Sequence, residues 1–488
     1  MSTANSSGGV SAKDFALETL LTLIEDYHSF NPDTTVPTYE YPTHLEFSQQ
    51  VARGRPCVYR LDRSVLDDRA VSGGSEVEDG SYGNGNSIDN SGGEIAKVSS
   101  PPRITEKSIQ RQCLRDEQRS ILSAPCFAWT KKSLCELVQG EVEVAVTPDG
   151  RADALYSLPP RTRTQSRSQR EADEDEPEQV FLQPASTYMT LSTLIDKLCP
   201  PLEPSQSSSH LPPSPCSPSA PPQYQSTSTS TSASTATATT TTEPVHYLQS
   251  QNSNLYTPPL SSLLGSLPPT PPPFSAAVLG DPEAVNIWIG NARSVTSTHR
   301  DPYENLYVVV KGRKRFVLYS PVEEVCLHAQ KVRTGRWVLS DSQRQKKETE
   351  FKIVMDDDDD DDDDDDNTTT TTSDANSGDD ADMNRIPWIP IDPLSPPSAP
   401  AFKKYPYYKY TRPLTVTVSE GEILYLPAGW FHHVTQECGL WESDDECPTT
   451  APCIAVNYWF DMDYSGEKHV MREMVGRLVE KIRMSENT

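Results

Sequence analysis

The sequence predicts a mainly β fold with flanking helices, in which a closed or double-sheet β-architecture is interrupted by disordered insertions. Three observations carry this. From Val285 onward the runs AVNIWIG, ENLYVVV, KRFVLY, LTVTV, EILYLP and CIAVNYWF are short and rich in Val, Ile, Tyr and Phe. Gly, Pro or charged turns separate them, a spacing that favours a β-barrel or sandwich over βαβ units. Apolar residues at helical spacing occupy both ends of the chain. Finally, 43 Pro in 488 residues is about twice the usual ~5%, so the chain is not one uninterrupted globule.

At the N-terminus Phe15, Leu17, Leu20, Leu21, Leu23 and Ile24 recur at spacings of three and four, as in an amphipathic helix packed on the main body or on a partner. Turn residues and short apolar stretches alternate from Tyr39 to Arg60, after which GGSEVEDGSYGNGNSIDNSGGE lacks the apolar content to offset chain entropy. Order resumes near Ile121 with Trp129, Leu134 and Leu137. The alternating strand Val142, Val144, Val146 then ends in the turn Thr147-Pro148-Asp149-Gly150. Three more tracts have ordered-looking chain on both sides and read as surface insertions: RTRTQSRSQREADEDEPE, the Ser/Thr/Pro stretch from Pro200 to Thr242, and the poly-Asp and poly-Thr run. Val470, Met474, Leu478 and Ile482 at fourfold spacing give a final amphipathic helix.

The formal charge is −27, of which Asp356 to Asp366 supply eleven, leaving −16 elsewhere. That balance argues against direct nucleic-acid binding or an anionic membrane surface and suits a basic partner. No apolar run reaches ~18 residues, and the first residues lack a charged-then-apolar signal pattern, so no membrane span is expected and the chain reads as cytoplasmic or nuclear. Ten Cys without a CxxC pair read as reduced thiols rather than a disulfide frame.

His299-Arg300-Asp301 lies between two strand-like runs, and His432 follows EILYLP through Ala-Gly-Trp-Phe. Two imidazoles and a carboxylate are what a facial Fe(II) site needs, because three protein ligands leave positions open for a co-substrate and O₂. A His-x-Asp pair is common by chance, and a surface lysine after Gly312 is the plain reading of Lys314. Together they say more, since an ammonium fifteen residues past His299 can pair with a metal-bound dicarboxylate. The aspartate run offers hard oxygen ligands without fixed geometry and is a poor rival site. Trp288, Trp388 and Trp430 are expected in the core rather than in a substrate channel, and His28, His44, His210, His246, His328 and His469 as ordinary surface or loop histidines.

THRDPYENLYVVVKGRKRFVLYSP, GEILYLPAGWFHHV and CIAVNYWFDM resemble the JmjC (cupin-type) Fe(II)/2-oxoglutarate oxygenases. The segments VEVAVTPDGRADAL, FLQPASTYMTLSTLIDKL, YLQSQNSNL, DPEAVNIWIGNARSVTSTHRD and IPWIPIDPL are similar to the lysyl hydroxylase subgroup of that family. The resemblance implies a double-stranded β-helix (jelly roll, cupin) with the N-terminal part completing the 2-oxoglutarate pocket. It implies Fe(II) on His299, Asp301 and His432, with O₂ and 2-oxoglutarate as co-substrates. The distal carboxylate of 2-oxoglutarate would sit on Lys314, helped by Thr296 and Tyr247. Asn305 and Asn457 match positions supporting the metal-proximal end in related enzymes, although a strand Asn is also an ordinary structural hydrogen bonder. Of the adjacent His432 and His433 only one can face the iron, and the family pattern picks the first.

The implied organisation is 11–61 for the N-terminal helix and start of an α/β part, with 104–160 its continuation. Residues 62–103 and 161–179 are disordered insertions, 180–199 a helical segment, and 200–243 the Ser/Thr/Pro-rich insertion. A catalytic domain at 244–466 carries an acidic insertion at 356–384, and 467–488 form the C-terminal helix. The subgroup hydroxylates C3 of a lysine in developmentally regulated GTP-binding proteins, which makes such a GTPase the implied partner; homodimerisation is compatible with the sequence. The alternatives are a histone N-methyl-lysine demethylase or methyl-histone endopeptidase, and a non-catalytic cupin binding module.

Overall fold

The computed structural model describes residues 12–70, 106–158, 177–200, 240–241, 243–249, 253–340, 349–356, 385–398, 401–442 and 449–484. His210, nearly all of the Ser/Thr/Pro tract and all but the first residue of the aspartate run lie outside the described residues.

Two sheets face one another. The larger has six strands in the order Thr38–Glu40, Cys57–Arg60, Ile423–Leu426, Tyr303–Lys311, Cys453–Asp461, Ala284–Gly290. The smaller has five, ordered Leu414–Ser419, Arg313–Tyr319, Phe431–Glu437, Val295–His299, Arg151–Ala152. From Ala284 to Tyr319 and again from Leu414 to Asp461 successive strands of these two sheets alternate between them, which is the jelly-roll connectivity of a double-stranded β-helix.

Period-two alternation explains why the larger sheet reads as unbroken apolar runs. Leu306, Val308, Val310, Ile454, Val456 and Tyr458 face outward into a cluster with helix residues, while Tyr307, Val309, Ala455 and Trp459 face inward. Both faces are buried, so neither carries polar alternation. The outward cluster is sealed by Phe274 of the helix Pro273–Leu279 and Phe47 of His44–Arg53, whose rings meet edge to face at 4.9 Å. Helix His44–Arg53 is fixed by a capping box between Thr43 and Glu46 and ends at Gly54 with φ 63°.

Two smaller sheets complete the body. Glu141–Thr147 pairs with Ala185–Thr190 and Val245–Tyr247, which brings Tyr247 to the mouth of the jelly roll. The hairpin Gln330–Leu339 and Glu350–Met355 also pairs with Arg385–Trp388. Helices Ala12–Phe30 and Glu467–Met484 pack with the turn Pro321–Leu327 around Leu20, Ile24, Val325, Val475, Val479 and Ile482.

Four expectations need correction. Residues 180–199 are helical only over Leu191–Leu198, N-capped by Thr190. Before it, Gln179–Gln183 and Ala185–Thr190 are strands of two different sheets, where aromatic and β-branched residues such as Val180, Phe181, Thr187 and Tyr188 fit best. Ordered chain also runs past residue 61: Arg63–Ala70 is a 3₁₀ segment with Val65 buried. On the last helix Val470 and Met474 are exposed, and Val475, Val479 and Ile482 form the buried stripe. Lastly, His28 and His246 are buried rather than superficial, His28 Nε2 lying 3.1 Å from Glu323 Oε1.

Candidate active site

The strand Val295–His299 pairs antiparallel with Phe431–Glu437, placing Thr296 opposite Val434 and His299 opposite His432. Three steps on one strand match two on the other, so a bulge lies between Thr296 and His299. Strict alternation would send residues three apart to opposite faces; the bulge brings both to the inner one.

His299 Nε2 lies 3.8 Å from Asp301 Oδ2, and His432 Nε2 lies 3.6 Å from the same oxygen. One ligand atom from each of the three falls within 4.8 Å of the others. Each imidazole is pinned from behind. His299 Nδ1 is 2.9 Å from the Ser297 carbonyl and His432 Nδ1 is 3.1 Å from the Trp430 carbonyl. A carbonyl can only accept, so each ring carries its proton on Nδ1 and turns the Nε2 lone pair toward Asp301. Burial, with the neighbouring His299 adding to it, pulls the His432 pKa down to about 4, which keeps that lone pair available at neutral pH. The turn bearing Asp301 is clamped by Arg300, which donates to Glu324 at 2.7 Å, and by the Gly429 N–H, which donates to the Asp301 carbonyl at 2.9 Å.

His433 points the other way. Its opposite number, Val317, belongs to an outer cluster with Ile389 and Ile391, and its Nε2 lies 3.8 Å from Asp392.

Further along the inner face, Lys314 is 1% exposed and its Nζ donates to the Tyr247 hydroxyl at 3.2 Å. The Thr296 side chain hydrogen-bonds the same phenol. Among the described residues no carboxylate pairs with Lys314. Burial opposes its charge, but Tyr247, Tyr307 and Cys453 around it hold its pKa above the ordinary lysine value. Asn457 accepts from Trp288 Nε1 at 2.8 Å and its amide donates to Asn305 at 3.4 Å. The structure therefore gathers Tyr247, Thr296 and Lys314 into one polar cluster and Asn305 with Asn457 into another.

Three more residues border the site: sequence reasoning assigns Trp288 and Trp388 to the core and does not single out Gly290. Trp288 is the fixed partner of Asn457. Trp388 lies parallel to the His299 ring, with centroids 6.4 Å apart and planes 3° apart, and its indole N–H has no partner among the described residues. Gly290 is the third: a Cβ there would stand 2.7 Å from the Tyr247 ring and 2.3 Å from Gln436 Nε2. Only a residue without a side chain lets Tyr247 lean over Lys314. Its place between NIWI and NARS was the available signal, and alternation alone does not single it out.

The cupin-like domain family model matches residues 123–466, most of the chain. The chain belongs to this family. It is 36% identical over 220 residues to the Homo sapiens "Bifunctional peptidase and (3S)-lysyl hydroxylase JMJD7", covering 45% of this chain and 54% of that protein. Against the Dictyostelium discoideum "JmjC domain-containing protein E" the identity is 33% over the same share of each chain. The Arabidopsis thaliana "Lysine-specific demethylase JMJ32" is 31% identical over 38% of this chain and 43% of its own length. The chain thus matches about half the length of each of these curated relatives.

The residues present fit the Fe(II) and 2-oxoglutarate that the sequence resemblance implies. Two lone-pair nitrogens and a carboxylate oxygen within 4.8 Å of one another suit a divalent metal with open positions, and Lys314, buried without a carboxylate partner among the described residues, offers a cation on the same inner face.

Proposed function

We propose that the chain is an Fe(II)- and 2-oxoglutarate-dependent oxygenase that hydroxylates C3 of a protein lysine, in a developmentally regulated GTP-binding protein. The observation that carries the reading is Lys314, a buried ammonium without a carboxylate partner among the described residues, on the inner face that bears the triad. Lys314 stands opposite Gln436 and Leu318 opposite His432, so four residues, roughly 13 Å at ~3.3 Å per residue, separate the two ends. A lysine side chain and a short diacid together fill such a span.

In this reading His299, Asp301 and His432 hold the metal, their Nδ1–H bonds to Ser297 and Trp430 fixing ring orientation. Lys314, with Tyr247 and Thr296, fixes the far carboxylate, and the paired amides of Asn305 and Asn457 serve the near end. The apolar inner wall, including Phe316, Leu318 and Val309, excludes water from the reacting centre. Bound Fe(II) with 2-oxoglutarate and O₂ supplies hydroxylation of an unactivated C–H bond coupled to decarboxylation of the co-substrate. The acidic balance of the chain suits a basic target loop, and cytoplasmic or nuclear residence fits such a target.

The Arabidopsis thaliana relative's name favours a second reading, removal of an N-methyl group from lysine by the same site. The triad and the unpaired Lys314 weigh against a silent binding module. Aerobic turnover of 2-oxoglutarate by the Fe(II)-loaded protein tests the proposal. Succinate formation that is lost in Asp301→Ala is expected; no succinate from the wild type would refute it.

A further inference from the structure

The triad is unevenly open. The side chains of His299 and Asp301 are 19% and 22% exposed against 7% for His432, so a substrate arrives over the His299–Asp301 edge. Beside that edge lies a carboxylate that the proposed chemistry does not use.

Asp153 follows the two-residue strand Arg151–Ala152, which runs parallel beside the His299 strand at the border of the smaller sheet. Its φ of 53° is left-handed, a conformation that Asp tolerates better than most residues. Its carbonyl accepts the Ser297 hydroxyl at 2.5 Å, and its Oδ2 accepts the Gln249 amide at 3.2 Å. The carboxylate is held in place, yet no Lys or Arg among the described residues pairs with it; the titratable group it feels is His299. Nor does it orient that imidazole, because Nδ1 is bonded to Ser297 and Nε2 is turned to Asp301. A half-buried acid fixed by neutral contacts, with no Lys or Arg paired to it among the described residues, gains from a cation that visits it.

We propose that Asp153, positioned by Gln249, receives the ammonium of the incoming lysine and so selects a cationic side chain. The inference rests on the hydroxylase reading above and extends it. C3 of a lysine is four bonds from Nζ, so the acid that reads the ammonium must stand beside the metal ligands and not among them. Asp153 stands there. Trp388, parallel to His299, adds an aromatic face on the same imidazole, and an alkylammonium is recognised by such faces. Lys314 and Asp153 then divide the work: an unpaired cation for the diacid and an unpaired anion for the substrate.

The test uses the whole chain loaded with Mn(II) and 2-oxoglutarate, so that binding is read without turnover. Two capped peptides are titrated, one with a single central lysine and its twin with norleucine. The wild type should favour lysine about tenfold to a hundredfold, the value of a charge-assisted contact. Asp153→Asn should bind both alike while keeping wild-type affinity for Mn(II) and 2-oxoglutarate. Asp153→Gly, which relieves the left-handed backbone, carries the same expectation. Retained lysine preference in the variants, no preference in the wild type, or loss of Mn(II) with the carboxylate would overturn the inference. The reaction is read separately with Fe(II): lysine preference without oxygen gain sinks the hydroxylase reading alone, and oxygen gain without preference sinks the role of Asp153 alone.

Discussion

His299 and His432 stand directly opposite each other on antiparallel strands, and the bulge after Thr296 turns both toward one carboxylate oxygen of Asp301. The neighbouring His433 faces the opposite side of the same sheet. His432→Ala should therefore abolish metal retention and 2-oxoglutarate turnover, whereas His433→Ala should keep the metal and most of the turnover. Metal content after desalting, read beside succinate release, checks this. An active His432→Ala with an inert His433→Ala would reverse the assignment.

Lys314→Ala removes a charge-assisted contact worth about 1.5–3 kcal/mol, or about one to two decades of affinity. The KM for 2-oxoglutarate should rise by that factor while iron stays bound, since Lys314 touches Tyr247 and not the triad. An unchanged KM would remove Lys314 from the co-substrate site.

Gly290→Ala places a methyl group 2.7 Å from the Tyr247 ring. Overpacking of this kind costs about 1–3 kcal/mol, and the ring must move off Lys314. A lower Tm together with weaker 2-oxoglutarate binding is expected by thermal shift and titration. Wild-type affinity in this variant would show that the Tyr247 position is immaterial.

Stability should fall in acid through two histidines outside the site. His246 is pulled down to about 4 by burial and then by Lys197 and Arg293, and His328 to about 4 by burial and Arg483. Unfolded, each takes a proton near its ordinary 6.5, so between the two values the unfolded chain binds more protons. Their contribution is full above about 6.5 and is lost as pH falls toward 4. The Tm gap between wild type and His328→Asn should narrow over that window, and a constant gap would contradict the assignment.

The strands and the His-x-Asp pair were legible because they are local, β-rich runs between turn residues and a motif beside a strand end, whereas the choice of His432 over His433 came from the family resemblance and not from spacing. The inward aim of His299 was not legible, since a bulge depends on the partner strand and Thr296 with His299 looks like a pair on opposite faces. Trp388 reaches His299 from a different sheet, a contact that no spacing along the chain encodes. The C-terminal helix shows the same limit. Val470 and Met474 keep a perfect fourfold spacing, yet Val475 and Val479 meet the N-terminal helix because the partner's position sets the buried stripe.

The most direct measurement is the mass of a lysine peptide from a developmentally regulated GTP-binding protein after incubation with the chain, Fe(II), 2-oxoglutarate and air, beside a methyl-lysine histone peptide. The account predicts a gain of one oxygen atom on the unmethylated lysine, with its side chain intact. Formaldehyde released from the methyl-lysine peptide, with no oxygen gained on the other, would contradict it.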